Sequence, residues 1–245
     1  MTKEAPWFYC PDLAQGGSQC LLPPEEAAHA LGSLRLGPGE GLTLFDGRGR
    51  VARARVAEAD RRRRHLACRA EAGQRQAPPP RRMLAAALPK GDRQAVMLDM
   101  ATQLGMTVFQ PLVCERSVVR PQAGAARRWR RICLEACKQS RRAWLPEIRA
   151  PLSLAEALAR AQDWDKWLAH PGGGVPPAGG PGGGAVMLCI GPEGGFTDAE
   201  VEAARRAGAR PLSLGGAVLR VETAAVAALV CAAGWPAEGG EARGV

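Results

Sequence analysis

The chain has 245 residues and a formal net charge of +9, which allows one large or two smaller domains and favours a polyanionic partner such as nucleic acid. Its apolar stretches are too short for a membrane span, and its first residues lack a hydrophobic signal segment. These features exclude the membrane and secreted classes, so we expect a cytoplasmic protein with no membrane partner.

Residues 1–76 have the pattern of a small β-barrel with one helix. Pro23 and Pro24 introduce a predicted helix over 23–31. An Asp46-Gly47 turn separates two apolar runs, which predicts a β-hairpin whose second strand covers 51–56. The proline-rich run over 76–80 is a stiff linker, so we predict a domain boundary there.

The second predicted domain covers residues 81–245 and alternates apolar strands with helices. Strands separated by helices predict a mostly parallel α/β sheet. The last helix is apolar on nearly every face, so we expect it to be buried or to lie at a subunit interface. The predicted elements are strands over 83–88, 108–113, 185–190 and 210–214, helices over 94–104, 124–143, 198–207 and 222–233, and an apolar segment of unassigned type over 154–168.

Residues 171–184 are dominated by glycine and proline. They contain eight glycines and four prolines in fourteen positions. Such a composition does not predict packed structure. We interpret the segment as a flexible insertion and assign it no function.

A glycine-rich turn follows the predicted strand 185–190. The sequence Gly-Pro-Glu-Gly-Gly-Phe occupies 191–196, and Thr197 with Glu200 can form a capping box for the next helix. The turn is not a P-loop, since Phe196 stands where lysine is required, and it lacks the spacing of a dinucleotide fingerprint. Glu193 would repel a pyrophosphate but tolerate a cationic ligand. A small-molecule site and a purely structural turn both remain open at this point.

Metal and nucleophile signals are weak in this chain. His29, His65 and His170 do not have ligand spacing, and we expect His65 and His170 at the surface. There is no GxSxG elbow, and the eight cysteines form no CxxC pair. We therefore predict no metal site, no hydrolase chemistry and reduced cysteines.

The turn at 191–196 is one of several motifs that occur in order along the chain. The others are Leu-Pro-Lys-Gly-Asp-Arg at 88–93, Cys-Glu-Arg-Ser-Val-Val at 114–119, Glu-Ala-Cys-Lys-Gln-Ser-Arg at 135–141, Ser-Leu-Gly at 213–215 and Leu-Arg-Val-Glu-Thr-Ala at 219–224. Together they resemble the RsmE family of 16S ribosomal RNA uridine N3-methyltransferases, which belong to the SPOUT class. The resemblance covers about residues 81–235 and is weaker toward the N-terminus.

This resemblance implies a C-terminal trefoil-knotted α/β domain with a parallel sheet and an N-terminal PUA-like β-barrel that binds RNA. It also implies S-adenosylmethionine as methyl donor, a homodimer, and 16S ribosomal RNA of the small subunit as partner. Three C-terminal loops would hold the donor through glycine backbone groups and apolar walls. The implied cofactor-binding residues are Ile190, Gly191, Glu193, Gly194, Gly195, Leu214, Gly215, Val218, Leu219, Arg220, Thr223 and Ala224.

Arg220 is the first candidate for catalysis. Uracil N3 is a poor nucleophile until its proton leaves, and an arginine would stabilise the charge that then develops on the flanking oxygens. The N-terminus of the final helix would support the same charge. Glu222 would orient Arg220 or accept the proton, and Glu193 is an alternative for either role. A structural Arg–Glu salt bridge or a helix cap is the competing interpretation.

Basic residues in the family-like motifs and on the long helix are candidates for RNA contact, mainly through phosphates. A solvated charged face is the competing interpretation, and the run Arg61 to Arg64 is a further candidate. We expect Trp129 and Trp144 in the core. The candidate RNA-binding residues are Lys90, Arg93, Arg116, Arg127, Arg131, Lys138 and Arg142.

The sequence is compatible with three functions. The leading one is S-adenosylmethionine-dependent methylation of uridine N3 in small-subunit ribosomal RNA. The second keeps the same domain but acts on another ribosomal or transfer RNA nucleotide. The third is a non-catalytic RNA-binding or ribosome-assembly factor.

Overall fold

The computed structural model describes residues 5–13, 19–177, 180 and 184–234 of the chain. The chain forms two compact units. The N-terminal unit comprises Met1–Pro78 with Leu134–Leu145, and the C-terminal unit comprises Pro79–Cys133 with Pro146–Val245.

The N-terminal unit contains a six-stranded sheet, one complete helix, and residues 134–140 at the end of a longer helix. Its elements are β1 (Trp7–Tyr9), β2 (Gln19–Leu21), α1 (Pro24–Gly32), β3 (Gly41–Phe45), β4 (Arg50–Asp60), β5 (His65–Ala70) and β6 (Gln74–Arg75). In the sheet the strand order is β1-β3-β4-β5-β2, and β6 pairs with β4. Strands β3 and β4 are antiparallel, which confirms the predicted hairpin, and Asp46 Oδ1 accepts hydrogen bonds from the backbone N–H groups of Arg48 and Arg50 in its turn.

The C-terminal unit is built on a six-stranded sheet in which all neighbouring strands are parallel, in the order β12-β10-β11-β7-β8-β9. The predicted parallel α/β architecture is thus confirmed. The elements are β7 (Arg82–Ala87), α2 (Arg93–Gln103), β8 (Val108–Leu112), α3 (Ala125–Ser140), β9 (Glu147–Ile148), α4 (Leu154–Ala159), β10 (Asp165–Gly174), β11 (Val186–Ile190), α5 (Asp198–Arg206), β12 (Arg210–Leu212) and α6 (Val221–Ala233).

Helices cover both faces of this parallel sheet. On one face α4 and α5 pack together, and on the other α2 packs on α6, which contacts β7 and β11. Strands β7, β8 and β11 are therefore almost entirely buried, which explains their continuous apolar sequence. Among the described helices, α6 included, none has the length and apolar character needed to cross a membrane.

The structure differs from the sequence predictions in three places. The segment 154–168 is not one element, since it contains helix α4 and then the start of strand β10. Residues 171–174 belong to β10, so the interpretation of 171–184 as an unpacked insertion is wrong for its first four residues. Helix α3 ends at Ser140 rather than at 143, and Cys137 and Ala143 pack with Phe45 in the N-terminal unit.

The cysteines are structural. All eight lie within the described residues, none of them forms a disulfide bond, and seven are buried. Burial raises the pKa of the Cys114 and Cys189 thiols to about 12 in each case. These two side chains are therefore protonated at neutral pH and do not act as nucleophiles.

The packing of residues 171–174 is open to a direct test by Gly173→Ala. A Cβ at Gly173 would lie 2.5 Å from the backbone N of Leu212, whereas a Cβ at Gly174 would meet no atom within 4 Å. Because overpacking against backbone cannot relax, we expect Gly173→Ala to lower the free energy of unfolding by about 2 kcal/mol and Tm by about 4–8 °C. Differential scanning calorimetry with Gly174→Ala as control measures the effect, and equal Tm values for the two variants would contradict the strand.

Candidate active site

A cavity of about 390 Å³ lies at the carboxyl ends of β10, β11 and β12 in the C-terminal unit. Ligands of open parallel α/β sheets bind at this edge, because the loops that follow the strands converge there. The wall is formed by the end of β10 and the segments after β11 and β12. Its residues are Ala169, His170, Pro171, Ile190, Gly191, Pro192, Glu193, Gly195, Phe196, Ser213, Leu214, Gly215, Gly216, Ala217, Val218, Leu219, Val221 and Ala224.

The glycine turn after β11 is held by its own backbone and by one arginine. Gly195 donates its N–H to the Pro192 carbonyl at 2.8 Å, with φ at +70°. A Cβ on Gly191 would lie 3.1 Å from the Phe196 ring, so glycine permits this close approach. Arg116 Nη1 donates to the Gly194 carbonyl at 2.9 Å. Arg116, predicted to contact RNA, thus holds the turn in place.

The helix after the turn begins with the predicted capping box. Thr197 accepts a hydrogen bond from the Glu200 N–H, and Glu200 accepts one from the Thr197 N–H. Glu200 Oε1 also accepts from the Glu115 N–H at 3.0 Å. Glu200 therefore links the 114–119 segment to the start of α5 and helps to position both.

The second loop follows β12 and is anchored to β10. The Ser213 N–H donates to the Gly174 carbonyl at 2.8 Å, and the Ser213 hydroxyl hydrogen-bonds with Gly215. Gly215 has φ at +130°, a conformation that favours glycine. The glycine-rich residues 172–174, which carried no predicted function, thus support the wall of the cavity.

Nine of the twelve predicted cofactor-binding residues line the cavity, and Gly194, Arg220 and Thr223 do not. The wall contributed by Ala169, His170 and Pro171 was missed. His170 was expected at the surface, but it is half-buried in this wall, and its Nδ1 accepts from the Gly172 N–H at 3.1 Å. The apolar run that ends at residue 169 could have indicated this wall. It predicts another parallel strand, and the carboxyl ends of parallel strands form the ligand site of such a sheet.

The cavity suits S-adenosylmethionine. Ile190, Leu214 and Leu219 provide apolar surface for a base, and the glycines expose backbone donors and acceptors. Glu193 is the one carboxylate among the described wall residues, so the cavity tolerates a positively charged sulfur better than a pyrophosphate. The residue types therefore fit this nucleoside.

Beside the cavity, Arg93 lies between two carboxylates that were predicted to be catalytic. Arg93 Nη2 is 3.9 Å from Glu193 Oε1, and Nη1 is 3.8 Å from Glu222 Oε1. The other oxygen of Glu222, Oε2, is buried and has no hydrogen-bond partner within the described part of the chain. Such an unsatisfied atom costs about 1–3 kcal/mol, which is typical of a group kept for a ligand.

Arg220 is arranged differently from the expectation. It is the N-cap of α6, its side chain makes no capping hydrogen bond, and it is exposed. Glu222 forms its ion pair with Arg93, and no Arg220–Glu222 pair occurs among the described residues. The idea that Glu222 orients Arg220 is therefore not supported. The competing interpretation, a salt bridge between Arg220 and Glu222, is not seen either, because Glu222 pairs with Arg93 instead.

The remaining RNA candidates differ in their exposure and position. Lys90, Arg127 and Arg131 are exposed. Lys138 is not on an open face, since its ammonium is 2.9 Å from Glu26 and 2.7 Å from Glu135 and only 10% of its side chain is exposed. Arg142 follows the end of α3 and so does not continue the helical face.

The two tryptophans of this region were expected in the core. Trp129 is buried and packs edge-on against Phe109, with ring centroids 5.4 Å apart, which confirms the prediction for that residue. Trp144 is only half-buried and lies near the guanidinium of Arg75.

Comparison with known proteins gives the family. The protein-family model of an RNA methyltransferase domain matches residues 76–233, and the family model of an RNA methyltransferase PUA domain matches residues 22–65. Ribosomal RNA small subunit methyltransferase E of Mycobacterium bovis is 33% identical over 236 residues, which cover 91% of this chain and 88% of that protein. The chain belongs to the RsmE family. The Synechocystis protein of the same name is 36% identical over 80% of this chain, and the match spans 66% of that protein.

Solved structures give the same family. A methyltransferase from Legionella pneumophila with bound S-adenosylmethionine is 32% identical with a TM-score of 0.85, over 93% of this chain and 96% of that chain. RsmE from Neisseria gonorrhoeae, also bound to S-adenosylmethionine, is 30% identical with a TM-score of 0.83 over the same shares. The predicted fold class, a SPOUT trefoil-knot domain with a PUA-like N-terminal domain, is confirmed.

Proposed function

We propose that this RsmE-family protein uses S-adenosylmethionine to methylate N3 of a uridine in 16S ribosomal RNA of the small subunit, in the cytoplasm. The observation that carries the proposal is the apolar, glycine-rich cavity with Glu222 beside it, whose Oε2 is buried and has no hydrogen-bond partner among the described residues. We further propose that residues 1–76 bind the RNA and residues 81–245 perform the transfer. The family's SAM-bound structures support the choice of donor.

The residues of this chain supply charge stabilisation and a proton acceptor. When bound, S-adenosylmethionine provides a methyl group on a positively charged sulfur. Arg220 and the free N–H groups at the start of α6 stabilise the negative charge that spreads over the uracil oxygens as N3 loses its proton. Glu222, whose Oε2 has no hydrogen-bond partner in the described ranges, accepts that proton. Transfer then requires alignment of N3 with the methyl group.

Arg93 acts in this scheme as a positioning residue. Its guanidinium lies between two carboxylates that repel each other, and its ion pair with Oε1 of Glu222 fixes the position of that carboxylate. Arg93 was predicted to contact RNA, and its two ion pairs favour this internal role instead.

Removing the Arg93 charge tests the positioning role. We expect Arg93→Ala to lower kcat by about 10-fold or more and to leave KM for the RNA near the wild-type value, because Glu193 and Glu222 lose their shared cation and Glu222 is no longer held in place. Arg93→Lys should recover part of the rate, since its ammonium group keeps the positive charge. A uniform loss of RNA affinity with an unchanged kcat would instead show that Arg93 contacts phosphate.

The proposed reaction is tested with 30S subunits that lack the modification. Incubation with purified protein and S-adenosylmethionine should produce N3-methyluridine, detected by mass spectrometry of the nucleosides. Methylation of another RNA but not of 30S subunits would favour a different target. RNA affinity with no calorimetric binding of S-adenosylmethionine would favour an assembly factor.

We also propose a homodimer formed through the outer surface of α2 and α6. Val96 and Met100, one turn apart on α2, are 48% and 43% exposed, and α6 beside it has half-buried Val226 and Val230. Two neighbouring helices with outward apolar side chains are typical of a subunit interface. This surface supports the proposal that two copies pair there.

Charges on this surface should separate the copies. We expect wild-type protein to sediment at twice the 25.9 kDa chain mass and Val96→Glu/Met100→Glu to sediment at the chain mass. Leu34→Glu, at a 41% exposed leucine of the N-terminal unit, is the matched control and should remain dimeric. A double variant that stays dimeric would place the interface elsewhere.

A further inference from the structure

The N-terminal unit contains a cavity of its own, of about 370 Å³, on the exposed side of its sheet. Its charged and aromatic lining residues are Trp7, Arg53, Arg55, Glu71 and Arg141. We call this cavity the arginine cleft. It is distinct from the run Arg61 to Arg64, which forms the turn between β4 and β5.

Strand register explains why the arginines share one face. Along β4, Ala52, Ala54 and Val56 are buried, and Arg53 and Arg55 between them are exposed. Successive side chains of a strand point to opposite faces of the sheet, so the two arginines lie on the same face. Arg53 pairs with Thr43, which pairs with Trp7 on β1, so one row crosses three strands. In the next row Arg55 lies directly opposite Arg69 of β5.

Among the described residues Arg53 and Arg55 form no ion pair, and Glu71, whose backbone N–H donates to the Arg53 carbonyl, is the one acidic residue of the cleft lining. In the described ranges no carboxylate lies within 4 Å of Arg53 or Arg55, whereas Arg48 and Arg63 pair with aspartates of their own turns. Like charges directly opposite each other, as at Arg55 and Arg69, destabilise a sheet. A bound polyanion would offset that repulsion, so the face has the character of a binding surface.

Trp7 gives the cleft an aromatic wall. Its ring packs on Phe45, with centroids 5.5 Å apart, and its remaining surface is accessible in the cleft. Unpaired bases stack on such side chains, whereas a duplex keeps its bases stacked within the helix. A concave surface that combines guanidinium groups with an indole therefore fits a single strand better than a duplex or an acidic protein.

We propose that the arginine cleft is a subsite for a single-stranded segment of the substrate RNA. Arg53 and Arg55 contact its phosphates, and Trp7 stacks on one of its bases. The proposal rests on the proposed action of this protein on RNA and adds to it the surface and the conformation of the RNA that is bound.

The test measures binding of full-length protein to a fluorescein-labelled uridine 12-mer by anisotropy at several salt concentrations. Arg53→Gln/Arg55→Gln is compared with Arg62→Gln/Arg63→Gln, which removes the same charge from the neighbouring exposed turn. We expect the cleft variant to bind about 10-fold more weakly and to reduce the slope of log K against log salt by about 1.4, the value for two phosphate contacts to a single strand. The turn variant should change affinity less than about 2-fold.

Three outcomes would overturn the proposal for the cleft. Equal weakening by the two variants would indicate attraction by net charge only. Equal or tighter binding of a labelled RNA duplex, or full competition by polyglutamate, would assign the cleft to a different partner. Calorimetric titration of the cleft variant with S-adenosylmethionine should match wild type. If the wild-type protein did not bind S-adenosylmethionine, the methyltransferase function would be refuted, but the RNA-binding result for the cleft would remain valid.

Discussion

Gly216→Leu is expected to abolish binding of S-adenosylmethionine while leaving the protein folded. Gly216 lines the main cavity, and a Cβ at this position would meet no protein atom within 4 Å, so a larger side chain extends into the space that the ligand needs. The glycine does not have positive φ, and leucine therefore introduces no backbone strain there. We expect Kd to rise by about 100-fold or more, measured by isothermal titration calorimetry, because the substitution blocks the site sterically.

Gly32→Leu is the matched control for this experiment. A Cβ at Gly32 also meets no atom within 4 Å, but Gly32 lies at the end of α1 in the N-terminal unit. Both variants should keep the wild-type Tm, and Gly32→Leu should keep the wild-type Kd. Unimpaired donor binding by Gly216→Leu would show that the cavity is not the cofactor site.

Arg220→Ala is expected to remove most of the catalytic rate without affecting donor binding. Arg220 caps α6 through its backbone only, so the helix should begin at the same place in the variant. Loss of one donor that stabilises a developing anion costs about 10²–10³ in rate. The measurement is the single-turnover rate of N3-methyluridine formation on unmodified 30S subunits, with Kd for S-adenosylmethionine determined in parallel.

Arg206→Ala serves as the control for Arg220, since Arg206 is an exposed arginine in the last turn of α5 and does not line the cavity. It should retain the wild-type rate. A normal rate in Arg220→Ala would assign the charge stabilisation to another group. A parallel rise in Kd would instead give Arg220 a role in holding the donor.

Much of the candidate site could be predicted because its residues are close in sequence. Gly191, Glu193 and Gly195 occupy one turn after an apolar strand, and Leu214 to Ala224 follow the next strand. Short motifs of this kind carry the family resemblance, and nine of the twelve cofactor-binding residues that the resemblance implied line the cavity. The capping box of Thr197 and Glu200 was predictable for the same reason.

Contacts between distant segments could not be predicted in this way. Arg93 is 100 residues or more from Glu193 and Glu222 in sequence, and only the packing of α2 against α6 beside β11 brings the three together. His170 was assigned to the surface because the glycines after it suggested an unpacked segment. The extension of β10 through Gly174 depends on pairing with β12, which follows almost forty residues later.

The sequence by itself determined the family, the alternation of strands and helices, and the glycine loops, because each of these depends on periodicity or on a short motif. Only the tertiary structure decided which charges are occupied and which are free to act. Lys138 is neutralised by Glu26 and Glu135, and Arg116 supports a turn. One oxygen of Glu222 has no hydrogen-bond partner in the part of the chain that the structure describes. Charge pairing depends on distances of a few ångströms between side chains, and those distances are set by the packing of the whole unit.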